Sequence, residues 1–393
     1  MLIVSRKKVT DYFLIFIVAQ LGLWYGGLAD LLPVGLVSNW NRLQLLSTVF
    51  MAFCFALSKR TPNIFTLLVI ASNACLVVST WWNEGSIDTV AFTRMIALVL
   101  LIDYFYHKVD ELLNVFMIIF EIMIYYNFYT IYSSGPDLFG GYYGALGYDN
   151  GFTLYALAAY AIALLCYERA NYIYVGEQNI RTKFRNKRSI IRIRSIFLII
   201  FAHLTVFYPM IGTGIAAILM VDVLAIIYKI KKFNLSLMKS YLIYIGVEIF
   251  IVFLRVQEIF SYVIVKLLNK DLSFTGRTNV WDRAIKMIAR NPIIGYGYLT
   301  QSGERAILGD VYCHNALLEQ FFRGGIPYFA IFVVMIYLIS KSAKRYKNST
   351  SLQYIIFVFC GILLSAITES NLASALVMLL LSLTFAYTKN EKF

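Results

Sequence analysis

Residues 352–387 read LQYIIFVFCGILLSAITESNLASALVMLLLSLTFAY. They form two apolar runs, 352–368 and 371–387, each close to the roughly 20 residues that cross a bilayer as a helix. Similar runs precede them near 10–27, 43–58, 62–80, 92–106, 110–131, 151–168, 195–210, 212–228, 240–258 and 326–341, which makes about twelve. Composition agrees: 60% of the 393 residues are hydrophobic and 15% charged, against about 25% charged in a soluble domain. That leaves too little polar surface to coat a water-soluble globule, whereas lipid accepts apolar side chains all round a helix. The sequence therefore predicts an all-α polytopic membrane bundle of about twelve transmembrane helices.

A net charge of +13 raises the question of nucleic acid, but that reading needs a basic soluble face with aromatic platforms. The positive charges instead fall in short clusters between apolar runs, the pattern that orients helices in a membrane. With the N-terminus in the cytoplasm, most of the 35 Lys and Arg residues lie inside, including Arg181–Arg188, and both termini are cytoplasmic. Placement in the cytoplasmic (inner) membrane follows. The first apolar run lacks a small-residue cleavage site and reads as a retained helix. Of the five cysteines, Cys313 alone is expected outside, so no external disulfide pair is expected. Three units result: a bundle over 1–258 with about nine spans, an extracytoplasmic loop over 259–325, and C-terminal spans over 326–393.

The loop exceeds the roughly 12–15 residues of an ordinary connection, which favours a functional segment. Over 278–292 the pattern predicts a short amphipathic helix capped by Thr278 and stopped by Pro292. Val280, Trp281, Ala284, Ile285 and Ile288 share its apolar face; Arg283, Lys286 and Arg290 share the other. His314 and Asn315 open a second helix with Leu318, Phe321 and Phe322 buried, which Gly324, Gly325 and Pro327 break. Glu121, Asp222 and Glu248 lie within apolar runs, where charge is costly; they are expected to pair with Arg255 or with hydroxyls of the bundle.

Gly276-Arg277, Trp281, Pro292, Gly295-x-Gly297, His314-Asn315 and Gly324, in this order and spacing, resemble the signature of the O-antigen polymerase and ligase superfamily (the Wzy and WaaL type). The large external loop late in a multi-span chain also resembles that family. The resemblance implies an inverting, metal-independent glycosyltransferase. Its donor glycan rides on polyprenyl (undecaprenyl) diphosphate, and an acceptor hydroxyl displaces the lipid diphosphate. It implies no cofactor, and as partners the lipid-linked oligosaccharide, membrane lipid, a chain-length regulator and a flippase, with no nucleic acid. Arg277 matches the family's loop arginine, and a guanidinium fork suits a departing diphosphate. His314, the one histidine expected outside, suits a general base for the acceptor hydroxyl. Arg283 and Arg290 are candidate helpers, and Asn315 a further substrate contact.

The family's mid-chain Ser-Arg pair is missing, because the corresponding stretch reads Tyr208-Pro-Met-Ile-Gly-Thr-Gly214. A second diphosphate arginine must come from elsewhere, and Arg94 and Arg255 are the candidates. An earlier loop, 134–151, loosely resembles the family's other loop; its tyrosines and Asn150 could meet sugar, though a plain flexible loop fits equally. The leading expectation is a polymerase of capsule, exopolysaccharide or O-antigen repeat units. A ligase of the same superfamily and a non-enzymatic flippase are the alternatives; the external loop argues against the flippase, whose site belongs near the bilayer midplane.

Overall fold

The computed structural model describes residues 6–23, 27, 32–87, 89–138, 140–172, 183–255 and 277–389. Gly276, with the rest of 256–276, and the 173–182 part of the basic inside stretch lie outside the described residues.

The apolar runs are helical. In chain order the helices are α1 (Arg6–Gly22), α2 (Val34–Ser58), α3 (Ile64–Trp82), α4 (Thr89–Tyr104), α5 (Val109–Ser134), α6 (Asp149–Tyr172), α7 (Lys183–Phe207), α8 (Gly212–Lys231) and α9 (Leu237–Glu248). A π-helical turn, Ile249–Phe253, continues α9. Further along the chain come α12 (Ala316–Ala343), α13 (Thr350–Ala366) and α14 (Ala375–Lys389). Among the described residues, seven helices are long and apolar enough to cross a membrane by length and composition, and three shorter apolar ones accompany them. The expected count of about twelve spans is thus supported in this way for seven.

Burial divides these helices into two kinds. α13 and α14 are buried almost all round, so their uniformly apolar sequences meet protein on every side. The outer helices carry bare apolar side chains instead: Phe53 and Leu57 on α2, Ile122 and Tyr129 on α5, Phe197 and Ile200 on α7, and Val223 and Ile230 on α8 are all exposed. An apolar surface of this extent is stable against lipid and not against water.

The two ends of the bundle differ chemically. At one end the chain turns through Lys59 and Arg60, Lys108, Lys232, and Lys344 to Lys347. Ion pairs stitch that end together: Lys108 with Asp11 near the start of α1, and Arg169 with Asp110. Arg169 also lies over the Tyr387 ring of α14, so the first and last helices begin and finish at this basic end. The opposite end holds the turns at 83–87, 140–148 and 367–374, and two short helices, α10 (Arg277–Arg290) and α11 (Gln301–Leu308). Residues 134–151 do not form a plain loop. Tyr143–Gly144 (β1) and Gly147–Tyr148 (β2) pair as a hairpin, which Asn127 and Thr130 of α5 hold by accepting from Leu146 N and Ala145 N.

The embedded acids have partners, but Arg255 is not among them. Glu121 binds Arg194 through two hydrogen bonds. Asp222 accepts from Tyr160 and meets His203 Nε2 at 3.1 Å. Glu248 accepts from Asn315, while Arg255 pairs with Asp282 of α10.

One kink shapes the end that carries the short helices. Pro327 has no N–H, so the Arg323 carbonyl has no intrahelical partner one turn back. Gly325, with φ +62° and ψ −163°, breaks α12 at that point. The freed carbonyls accept new donors: Tyr296 N to Phe322 O at 2.7 Å and Gly297 N to Arg323 O at 2.8 Å. Ser79 of α3 also donates to Arg323 O, and Ile326 N turns to Pro292 O. The Gly295-x-Gly297 segment is thereby pinned to the break. A Cβ at Gly325 would run into the Ile293 carbonyl. Gly325→Ala should therefore cost at least about 2 kcal/mol, from left-handed backbone plus clash. Thermal unfolding of the detergent-solubilised protein checks this; a wild-type melting temperature would contradict the kink account.

Candidate functional site

α10 forms because its apolar positions recur at helical spacing, and it packs against the bundle through them. Trp281 and Ala284 are fully buried, joined by Val252, Leu308, Leu318 and Phe322, with Val280, Ile285 and Ile288 half-buried around them. Arg283, Lys286 and Arg290 are exposed on the opposite side. The helix begins at Arg277, ahead of Thr278, so Thr278 does not cap it. α11 is delimited by Thr300, whose hydroxyl accepts from Gly303 N, and by Gly309 in the left-handed region.

Asn315 caps α12 by accepting from Leu318 N at 2.9 Å. Its amide nitrogen donates to Glu248 and to Ile367 O. The side chain is fully buried, so Asn315 positions the start of α12 and presents nothing to a substrate. Leu318 and Phe322 are buried, as expected, while Phe321 is half-buried and stacks on Phe329 with ring centres 4.5 Å apart.

His314, just before the cap, has φ +48°, a conformation that costs a non-glycine residue roughly 1–3 kcal/mol and needs outside support. Support comes from both sides. Cys313 N donates to Glu319 Oε2 at 2.8 Å, and Trp281 Nε1 donates to His314 O at 3.4 Å. The imidazole Nε2 lies 3.1 Å from Asp310 Oδ2. Asp310 is itself oriented by Val311 N, which donates to its other oxygen. A carboxylate holding one ring nitrogen fixes the tautomer and leaves the other nitrogen to act.

Arg277 donates to Glu369 Oε1 at 2.9 Å. Glu369 sits in the turn between α13 and α14. Burial raises its carboxyl above the ordinary value, while the charge of Arg277 and its hydrogen bond act to lower it. Glu369 and His314 line the same cavity.

Beneath this group is a buried cluster. Arg323 donates to Glu319 at 2.7 Å, to Glu304 of α11 and to the Gly297 carbonyl at 3.1 Å. Its guanidinium lies 4.5 Å from the centre of the Tyr298 ring. Glu319 Oε2 accepts from Cys313 N and from Ser370 Oγ at 3.1 Å. One carboxylate therefore ties the segment before His314 to the turn that carries Glu369.

Two adjoining cavities open at this end. The smaller, about 410 Å³, is lined by His314, Glu369, Tyr312, Arg94 and Asn150. The larger, about 540 Å³, is lined by Tyr298, Gln301, Glu304, Glu319, Gln320 and Arg323, among others. Arg94, Tyr312 and Ser370 line both. Arg94 has no carboxylate partner among the described residues, and its Nε is buried without a hydrogen bond.

The structure thus brings together His314, Arg94 and Asn150 around one cavity, with Arg277 attached to its wall through Glu369. It does not bring Arg255, Arg283 or Arg290 there. Arg255 holds α10 through Asp282 and lies over Trp281. The Arg283 guanidinium is next to Gly309, and Arg290 touches Met287. Sequence reasoning missed Asp310, Glu369 and the Glu304–Glu319–Arg323 cluster.

Residues 196–333 match the family model described as O-antigen ligase. No curated protein matches the chain.

Removing Arg323 would leave two buried carboxylates without their counter-charge, a loss of about 3–5 kcal/mol for a broken buried pair. Arg323→Met, similar in length, should lower the melting temperature accordingly; an unshifted melt in detergent would show that the cluster does not hold this end.

Proposed function

We propose that this chain, a member of the O-antigen polymerase/ligase superfamily, is a multi-pass membrane glycosyltransferase that joins lipid-diphosphate-linked oligosaccharide repeat units into capsule, exopolysaccharide or O-antigen chains. The carrying observation is that an imidazole oriented by Asp310 and the carboxylate that binds the Arg277 guanidinium, Glu369, line one cavity, at the end of the bundle opposite the basic turns. The positive-inside rule assigns the basic end to the cytoplasm. The cavity then faces outward from the inner membrane, with both termini inside and about twelve spans between them.

In this reading the acceptor hydroxyl enters the smaller cavity beside His314. With Nε2–H donated to Asp310, Nδ1 carries the lone pair and takes the hydroxyl proton. The hydroxyl oxygen bonds to the anomeric carbon of the donor, and the bond from that carbon to the diphosphate oxygen breaks. The diphosphate leaves with the electron pair and with its charge increased. Arg277 and Arg94 face that charge. Charge-assisted bonds of this kind contribute about 1.5–3 kcal/mol each, and they matter most where negative charge develops during the reaction. Asn150, at the cavity rim, is placed to bond a sugar hydroxyl. No residue of the site requires a metal in this scheme.

Deletion of the gene followed by glycan analysis tests the reading. Single repeat units on the final carrier are expected. Finished polymer left on its lipid would identify a ligase, and lipid-linked units trapped in the cytoplasm would identify a flippase; either would overturn the polymerase assignment. Within the site, His314→Ala should cut turnover about 10²–10⁴-fold at normal protein levels. Arg277→Lys should fail as well, because a point charge cannot replace the planar fork. Full chain growth by either variant in a complemented deletion strain would remove that residue from the mechanism.

A further inference from the structure

Gln320 lies one turn into α12, beside the Glu319 clamp, and is only 1% exposed. Neither its amide nitrogen nor its amide oxygen has a hydrogen-bond partner. A buried amide with both ends unpaired is rare and costly, and it calls for an explanation beyond packing. The residue lines the larger cavity. That cavity falls in the size range of small-molecule sites, roughly 300–1,000 Å³, and it shares Arg94, Tyr312 and Ser370 with the cavity of His314.

The other walls have a consistent chemistry. Phe92, Tyr298 and Tyr328 supply aromatic surface, while Gln301, Ser86 and Asn73 supply amide and hydroxyl groups. Asn73 Oδ1 is also buried without a partner. Burial keeps the Tyr298 and Tyr312 phenols above their ordinary values, so both remain neutral donors. The charges nearly cancel: Glu304 and Glu319 are bound to Arg323, and Arg94 stands on the wall shared with the smaller cavity. Flat apolar faces alternating with neutral donors and acceptors suit a ring that is apolar on its C–H face and polar at its edge.

We propose that the larger cavity is the glycan subsite, taking uncharged, hydroxyl-rich sugar residues of the repeat unit, with the Gln320 amide reading two neighbouring hydroxyls. The amide offers one donor and one acceptor side by side. One ring hydroxyl donates to Oε1 while the next accepts from Nε2. Arg94, on the shared wall, then marks where the neutral glycan gives way to the anionic diphosphate. The inference rests on the glycosyltransferase reading above and adds to it the place and the chemistry of sugar recognition.

The test uses the purified full-length protein in detergent, with the lipid-linked repeat unit extracted from a strain lacking the gene. Gln320→Leu keeps the volume but removes both polar atoms. It should raise KM roughly tenfold to a hundredfold, as expected for one or two lost hydrogen bonds, with the loss falling on KM rather than kcat. The melting temperature should hold or rise, because an unpaired buried amide has been removed; a merely structural glutamine would show the opposite pattern. Ser86→Trp provides a second variant on an exposed position of the same cavity, and by filling it should raise KM as well. Unchanged KM in both variants, while the wild-type protein forms glycosidic product, would overturn the subsite alone. A wild-type protein that forms no glycosidic product would overturn the reading on which the subsite rests.

Discussion

The end of the bundle that carries the two cavities is organised by one buried carboxylate. Glu319 is held by Arg323, four residues on along the same helix, and accepts from Cys313 N and Ser370 Oγ. Those two donors come from segments about 57 residues apart in sequence, one leading into His314 and the other following Glu369. Without a common acceptor, neither the left-handed backbone at His314 nor the turn between α13 and α14 has a reason to stand where it does. Arg323 extends the same bond network to Glu304 and to Gly297, so α11 and the glycine segment share the anchor. A buried ion pair is costly to assemble and more costly to break, which makes it a registration device as much as a source of stability.

The kink at Gly325 makes that device possible. An unbroken α12 would use its own carbonyls internally and offer nothing to the residues around Gly297. Breaking the ladder frees the Phe322 and Arg323 carbonyls, and Tyr296 and Gly297 take them up. Non-helical backbone in a membrane bundle is tolerated where it is buried in protein, and Gly325 is buried. The helices behind it supply rigidity. α13 and α14 are surrounded on all sides, so the turn between them, with Glu369, rests on the most deeply packed part of the bundle.

Much of this was legible in the sequence, and the reasons for the gaps are physical. The apolar runs mark the helices because bilayer thickness sets their length. The amphipathic face of α10 is legible because helical spacing brings Trp281 and Ala284 to one side. The Gly325–Pro327 break follows from missing donors and missing Cβ atoms. Arg323 was within reach, since it stands four residues from Glu319 on one helix, the spacing at which helical side chains meet, whereas Asp310 meets His314 across a non-helical stretch that offers no such spacing rule. Glu369, a lone acid between two apolar runs, carried a weaker signal, because nothing local says which cation it meets. The α11 helix is absent from the sequence reading, although Thr300 and Gly309 cap and stop its eight residues. Which arginine reaches the cavity could not be read at all. Arg94 and Arg255 look alike in sequence, and only the long-range pairing of Arg255 with Asp282 separates them.

The account reduces to one spatial claim: the diphosphate of a lipid-linked sugar sits between Arg94 and Arg277 while the attacking hydroxyl meets His314. An experimental structure of the protein in a lipid nanodisc with its lipid-linked repeat unit bound measures this directly. The account predicts phosphate density against both guanidinium groups, with a sugar hydroxyl within about 2.6–3.2 Å of a His314 ring nitrogen. Phosphate bound instead on the exposed arginines of α10, or at the basic end of the bundle, would contradict it.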